Sequence, residues 1–473
     1  MHIVFLNPQG NFDNKDSYLA EHPDFGGQLV YVKEVAIAMA ELGHRVDIVT
    51  RRIDDAKWPE FSDETGYYDN YPENPRIVRI SCGGSSFLQK EHLWPHLEEF
   101  IDNLISFYGS ELPDFFTSHY ADGGYCATLL LQKTGVGYTF TGHSLGAQKL
   151  DKLGTNLQNL GSMESRYHFS GRIAAERLAM EFASRIITST NQERYEQYAH
   201  PLYQGAVDVN DDEKFSVIPP GVNLNVFSNE TQALDAEHQM NLTKLISNKK
   251  IPWILVSSRL DEKKNIIGVV KAYADDKKLQ EKASLAICIR GVDDPFKDNS
   301  ALSEDERQIL QQILDQIIDA GIRDKIIFLN IQSQLELAAT YRFFANHKSV
   351  FALTAFYEPF GLAPIEAAAS GLVCVATKNG GPSEIFEDGS GVLVDPFDTS
   401  DIAIGLHKAL DNADELSQRC YQRVINRYTW NRTAEGYLTT IEAGMKKREG
   451  IPALDAELKD YQRIKDYLQE QSL

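Results

Sequence analysis

Residues 349–385 read SVFALTAFYEPFGLAPIEAAASGLVCVATKNGGPSEI. Two short apolar runs, SVFALT and VCVATK, flank a small-residue segment of helical character, and this is the pattern of a parallel strand–helix–strand unit. A loop leaves the first strand at Glu358, a helix starts just after Gly361, and Glu366 lies eight residues beyond Glu358. Ala367, Ala368 and Ala369 run along the helix, and a Gly-Gly-Pro turn ending in Glu384 follows the second strand. The first turn of a helix has unpaired N–H groups that suit an anion, most commonly phosphate. Two carboxylates beside it would face the neutral part of the same ligand, as in a sugar attached to a diphosphate. The competing reading is close helix packing with solvated carboxylates.

Working outward, the same alternation runs through the chain. HIVFLNP, RVDIVT, RIVRIS, DFFTSHY, YTFTGHS, RIITST and KFSVIPP read as strands in the first half. WILVSSR, LAICIRG and KIIFLN precede the opening stretch in the second. Strands separated by helical patterns predict α/β architecture with parallel sheets covered on both faces. The 473 residues suit two such domains. We place the first domain at 1–235, the second at 236–430, and a charged helical tail at 431–473 that packs back on the first domain through Trp430, Tyr437 and Tyr461. Ligands of doubly wound sheets bind at the carboxyl ends of strands, so two facing Rossmann-like domains predict a site in an interdomain cleft.

Composition narrows the partners. With 47 basic and 68 acidic residues, a net charge of −21 argues against nucleic acid or an anionic membrane. The start of the chain lacks the pattern of a signal peptide, and no run is long and apolar enough to cross a bilayer. Five scattered cysteines without a CxxC suit a reducing cytoplasm rather than a disulfide framework or zinc site. No motif calls for a metal or a tightly bound cofactor.

Three further constellations carry chemistry. Gly26, Gly27 and Gln28 open an amphipathic helix, where glycines admit a phosphate to backbone N–H groups; a plain capping turn is the bland alternative. His143 and Ser144 lie in Thr-Gly-His-Ser-Leu-Gly at a strand end, with His143 placed to donate to a sugar hydroxyl or to stabilise charge. The order Gly-His-Ser-Leu-Gly is not a GxSxG nucleophile elbow. His119 and Asp122, at another strand end, are weaker candidates for ligand contact, with a loop-structuring role as the alternative. Arg259 and Lys264, five apart in SRLDEKKN, suit a clamp on a diphosphate, with Arg as a fork and Lys as a point charge.

Taken together, GGQ, GHS, SRLDEKKN, EPFGLAPIE and NGGPSE resemble the motifs of retaining GT-B glycosyltransferases of family 4, with EPFGLAPIE similar to their EX7E motif. NPQGNFD, HPDFGGQLVYVKEVA, FTGHSLGAQK and FSVIPPGVN extend the resemblance, over about residues 1–440, to the sucrose synthase and sucrose-phosphate synthase group. The resemblance implies residue roles. Gly26 and Gly27 match the loop near the donor phosphate, and Gln28 a sugar contact. His143 matches the residue near glucose O6. Arg259 and Lys264 match the pair on the diphosphate. Glu358 matches the glucose-ring ligand and Glu366 the ribose ligand. Gly361, Leu362 and Ala363 would offer backbone to hexose and phosphates, and 330–334 matches the nucleobase loop. Lys90, Lys149 and Arg172, beside Ser144, match the acceptor site for fructose 6-phosphate. The implied activity is glucosyl transfer from UDP-glucose or another NDP-glucose to fructose 6-phosphate. The sucrose 6-phosphate formed would be left to a separate phosphatase. The run Tyr167–Arg172 also resembles sucrose synthases, so transfer to free fructose stays open, as do transfer from GDP-mannose and a nucleotide-sugar-binding regulatory role.

Overall fold

The computed structural model describes residues 1–17, 27–232, 235–246, 252–446, 450 and 459–471. They form two compact units. The first comprises Met1–Pro219 with Thr433–Leu473, and the second Pro220–Arg432.

The first unit is built on eight strands: β1 His2–Leu6, β2 Arg45–Arg51, β3 Thr65–Tyr68, β4 Tyr71–Ile80, β5 Phe115–His119, β6 Tyr138–Thr141, β7 Arg185–Thr188 and β8 Phe215–Val217. Their order is β3-β4-β2-β1-β5-β6-β7-β8, parallel throughout except for the β3–β4 hairpin. All seven strands read from sequence in this half are present. The reading missed β3, whose TGYY is half exposed at the sheet edge and has no apolar run to betray it.

The second unit carries β9 Trp253–Ser257, β10 Ser284–Cys288, β11 Ile326–Leu329, β12 Val350–Leu353, β13 Val373–Thr377 and β14 Val392–Val394. The order β11-β10-β9-β12-β13-β14 is wholly parallel. Alternate residues feed two separate cores. Ile254, Val256, Val350, Ala352, Val373 and Val375 face one layer of helices, while Trp253, Leu255, Phe351, Leu353, Cys374 and Ala376 face the other. A strand buried on both faces needs a continuous apolar run, which is why these strands were legible. Only β14, three residues long, was missed.

The second unit starts at Pro220, earlier than the 236 read from composition. The polar segment there is not a free linker. Helix Asp235–Leu245 is tied to helix Gln334–Ala345 by the bidentate Arg342–Asp235 pair, with both N–O distances 2.7 Å and both side chains buried. His238 adds a bond to Thr340 at 2.8 Å.

In the tail, helix Trp430–Met445 places Tyr437 in the first unit's core, bonded to Tyr31 (3.0 Å) and Thr141 (2.9 Å). Tyr461, read as an anchor, is exposed. The phase of helix Tyr461–Glu470 instead buries Ile464 and Leu468 and brings Tyr467 to Asp151. Among the described residues, no helix is long and apolar enough to cross a membrane.

Candidate active site

Each sheet has one point where the strand order reverses, and there the loops leaving adjacent strands diverge to form a crevice. In the second unit that point lies between β9 and β12.

The loop leaving β9 holds Arg259 and Lys264. Asp261 caps its short 3₁₀ turn by accepting from the Lys263 N–H at 3.0 Å. Asn265 follows in the left-handed region (φ 51°) and donates to the Thr354 and Pro396 carbonyls at 3.0 and 2.8 Å. The loop is thereby pinned to the ends of β12 and β14, and Lys264 Nζ reaches Glu358 Oε2 at 2.7 Å. Arg259 is exposed, and no described side chain pairs with it. Next to it in the chain, the buried Ser258 hydroxyl has no hydrogen-bond partner among the described residues.

The loop leaving β12 explains the Asn-Gly-Gly-Pro turn. The Glu358 N–H donates to Asn379 O (3.1 Å), and the Gly381 N–H donates to Glu358 O (2.9 Å). Asn379 also donates to Phe356 O at 3.0 Å. A Cβ on Gly380 would lie 2.0 Å from Glu358 O, and one on Gly381 2.1 Å from Phe360 O. The two glycines thus let one backbone lie directly against the other and hold Glu358 in place.

Gly361, at φ 110°, turns the chain into helix Leu362–Ala369, whose first turn has no side-chain cap. Leu362 is exposed and Ala363 half-buried. The alanines do not approach a ligand: Ala367, Ala368 and Ala369 are fully buried and seat the helix on the sheet. Glu366, on the opposite side of that helix turn, has no hydrogen-bonding side-chain partner among the described residues. Burial pushes its carboxyl up to about 7. The loop 330–334 is cross-linked at the ends of β10 and β11. Asn330 donates to Asp293 (2.7 Å) and accepts from Gly291 N (2.8 Å) and Gln332 (2.6 Å).

In the first unit the reversal lies between β1 and β5. Gly26 lies outside the described residues. Gly27 opens helix Gly27–Glu41, and a Cβ on it would meet no described atom within 4 Å. The next residue, Gln28, donates to Asn7 at 2.6 Å, just past the end of β1.

His143 follows β6 in the left-handed region (φ 56°). Gly142 before it is required, since a Cβ would sit 2.5 Å from Leu145 and 2.8 Å from the Tyr198 hydroxyl. His119, at the end of β5, is buried and places Nδ1 2.9 Å from His143 Nε2. Burial pushes His143 down to about 4 and His119 well below the usual imidazole range, so both rings are neutral near pH 7. A neutral ring at His143 carries no charge of its own but keeps one donor and one acceptor nitrogen. Asp122, on the helix after β5, is buried and pushed up to about 6 by desolvation.

The Gly142–Gly146 turn rests on a buried network. Glu176 accepts from the Gly146 N–H with both oxygens at 2.9 Å, from Arg172 Nε at 3.0 Å, and from the Tyr203 hydroxyl. Arg172 also donates to the Ser144 carbonyl and lies 5.0 Å over the Tyr120 ring. Burial opposes its charge, but Glu176 holds its guanidinium well above the ordinary value. Ser144 is exposed.

Lys149 lies 4.5 Å over the Tyr167 ring, with Arg166 5.1 Å from the same ring. Burial, then the charges of Arg172, Lys90 and Arg166, lower the Lys149 pKa. Lys90 lines a recess with Gln9, Gly10, Arg51 and Phe87. Sequence reading did not single out Arg166 or Glu176. Arg166, on helix Leu160–Tyr167, shares the Tyr167 ring with Lys149 of helix Gly146–Lys152, and Glu176, on helix Phe169–Phe182, holds the Gly146 N–H; both meetings depend on how the helices pack. Among the described residues no three His, Cys, Asp or Glu side chains gather as a metal site would require.

Comparison with known proteins agrees with the two-sheet α/β fold. The family described as "Sucrose synthase first GT-B domain" matches residues 1–246, and "Glycosyl transferases group 1" matches 239–427. A "probable sucrose-phosphate synthase" of Thermosipho melanesiensis is 46% identical over 446 residues, 93% of this chain and 96% of that protein. A Citrus unshiu protein, "probable sucrose-phosphate synthase 1", is 32% identical over 515 residues. It aligns with 95% of this chain, which spans only 48% of that plant relative's length. In fold, the solved sucrose-phosphate synthase of Thermosynechococcus elongatus matches with a TM-score of 0.64 and 22% identity, covering 93% of this chain and 98% of that one. On the strength of an alignment that runs nearly end to end, the chain belongs to the sucrose-phosphate synthase family, hexosyltransferases of the GT-B fold.

Proposed function

We propose that this chain transfers glucose from UDP-glucose, or another NDP-glucose, to fructose 6-phosphate, forming sucrose 6-phosphate with retention at the anomeric carbon. In this reading Arg259 and Lys264 stabilise the charge that develops on the departing diphosphate, with the uncapped helix start at Gly361, Leu362 and Ala363 and the glycines Gly26 and Gly27. Electrostatic stabilisation of this kind is the largest single contribution expected. Glu358, held by Lys264, takes glucose hydroxyls. Glu366, desolvated and without a protein partner, takes a pair of hydroxyls such as those of the ribose, and the loop 330–334 meets the base. His143 is a neutral ligand of the transferred sugar. The leaving phosphate accepts the acceptor proton, so no protein nucleophile is needed.

One observation favours a phosphorylated acceptor: in a chain of net charge −21, Lys149 is partly buried, which is the first cause of its lowered pKa, and the positive fields of Arg172, Lys90 and Arg166 lower it further. A dianionic phosphate relieves that repulsion. Gln28 and Ser144 complete the acceptor contacts, and Arg172 offers Nη1, which no described residue engages. A second reading, free fructose as acceptor, draws on the commitment of the rest of the Arg172 guanidinium to Glu176 and Ser144. A matrix of UDP-, ADP- and GDP-hexoses against fructose and fructose 6-phosphate separates them. The expected result is at least a hundredfold preference for fructose 6-phosphate, about the 3 kcal/mol of two charge-assisted hydrogen bonds. Equal rates with both acceptors would overturn the acceptor assignment.

A further inference from the structure

His143 is bonded by its Nε2 to His119 and has no second partner among the described residues. A neutral imidazole carries one N–H and one bare nitrogen, so whichever proton lies between the two rings dictates what His143 presents elsewhere. Either His119 donates through Nδ1–H, leaving His143 with Nδ1–H, or His143 donates through Nε2–H and keeps a bare Nδ1.

Thr117 decides between them. Its hydroxyl is fully buried, lies 3.3 Å from His119 Nε2, and makes no other hydrogen bond among the described residues. If His119 Nε2 is bare, the hydroxyl donates into it and every group in the chain is satisfied. If His119 Nε2 carries the proton, the hydroxyl accepts it and its own proton, fully buried, has no acceptor among the described residues, which is costly. The ring cannot turn to escape. His119 is stacked on Phe5 with centroids 5.5 Å apart and planes 11° apart, and Tyr31 stands edge-on to His143 at 4.9 Å. The file Thr117 Oγ1–H to His119 Nε2, then His119 Nδ1–H to His143 Nε2, is therefore the arrangement that leaves nothing unpaired.

We propose that His119 is a positioning residue that, with Thr117 behind it, holds His143 as the Nδ1–H tautomer, so that His143 meets the sugar as a hydrogen-bond donor. A histidine without such a partner favours the opposite, Nε2–H, form. The proposal rests on the sugar-facing role given to His143 above, but its test does not need turnover.

The full chain, labelled with 15N in its histidine rings and free of ligand, is examined by long-range 1H–15N correlation, with the His143 signals assigned by their loss in His143→Asn. The expected spectrum shows a protonated Nδ1 and a bare Nε2 at His143. In His119→Phe the His143 tautomer reverts to Nε2–H, and kcat/KM for transfer falls about tenfold, the effect of one lost hydrogen bond. In His119→Asn the amide N–H stands in for Nδ1–H, so the tautomer is kept and activity recovers to within about threefold of the parent. A wild-type His143 found as Nε2–H, or a His119→Phe chain that keeps Nδ1–H, would overturn the proposal. If His119→Phe does not fold, the wild-type spectrum alone decides. Failure of the acceptor and donor matrix with the expected tautomer present would instead count against the assigned reaction.

Discussion

The loops at the ends of β9 and β12 and those at the ends of β5 and β6 keep their polar groups in opposite states. In the second unit several are left open among the described residues: Arg259 is exposed, the Ser258 hydroxyl has no hydrogen-bond partner, and Glu366 is desolvated without a side-chain hydrogen bond. Lys264 and Glu358 are paired with each other, Asn265 and Asn379 are bonded to carbonyls, and Glu358 is positioned by backbone lying on backbone at Gly380 and Gly381. In the first unit the side chains are engaged with each other: His143 with His119, Arg172 with Glu176 and Ser144, and Gln28 with Asn7. A region whose donors and acceptors wait for a ligand has its function written in the side chains themselves. A region whose side chains hold one another is shaped first, and its function is carried by the few atoms left over.

The comparison makes predictions about stability and activity that separate the two regions. The largest effect is expected for Arg172→Met. It leaves Glu176 buried and without its charged partner, and should cost about 3–5 kcal/mol in urea denaturation. A loss under 1 kcal/mol would mean that the first unit's network is not holding its turn. Glu358→Gln in the second unit should behave conversely. It is expected to change stability by under about 1 kcal/mol, because Lys264 still has a carbonyl oxygen to donate to, while kcat falls by about 10²–10³, or roughly 3–4 kcal/mol. Should Glu358→Gln unfold the chain as readily as Arg172→Met, the contrast between the two regions fails.

The third prediction is smaller and depends on pH. Burial raises the Glu366 carboxyl from 4.5 to about 7 in the folded chain. The folded state therefore binds the proton more tightly than the unfolded one. The stability this brings is fully present below pH 4.5 and is lost as the pH rises to 7. Glu366→Gln removes that loss. It should leave stability unchanged at pH 4 and raise it by about 1–3 kcal/mol at pH 8, at the cost of nucleotide affinity. An equal change in melting temperature at both pH values would show that Glu366 is not held at a raised pKa.

How far the site was legible follows from the same contrast. Lys264, Glu358, Gly361 and Glu366 were singled out from a single stretch and one loop because parallel strands bring their carboxyl ends to one edge of a sheet. Asn265 and Asn379, which pin those loops, were not singled out, since their role depends on carbonyls contributed by β12 and β14. In the first unit His143 was singled out, whereas His119 was a weaker candidate with a loop-structuring role as its alternative. Nothing local in Ser-His-Tyr-Ala-Asp shows that its Nδ1 faces a histidine 24 residues away.

By itself, the sequence determined the two largely parallel sheets, because strands covered on both faces read as mostly apolar runs, and the strand ends where glycines and charges cluster. The tertiary structure alone decided which polar groups are spent on the protein and which remain open. It also decided that the second unit starts at Pro220, that Tyr467 rather than Tyr461 docks the tail, and that Arg166 joins the basic cluster. The physical reason is range. Strand periodicity is imposed by nearest neighbours along the chain, whereas the partner of a buried charge or imidazole is supplied by whichever distant segment packing brings within about 3 Å.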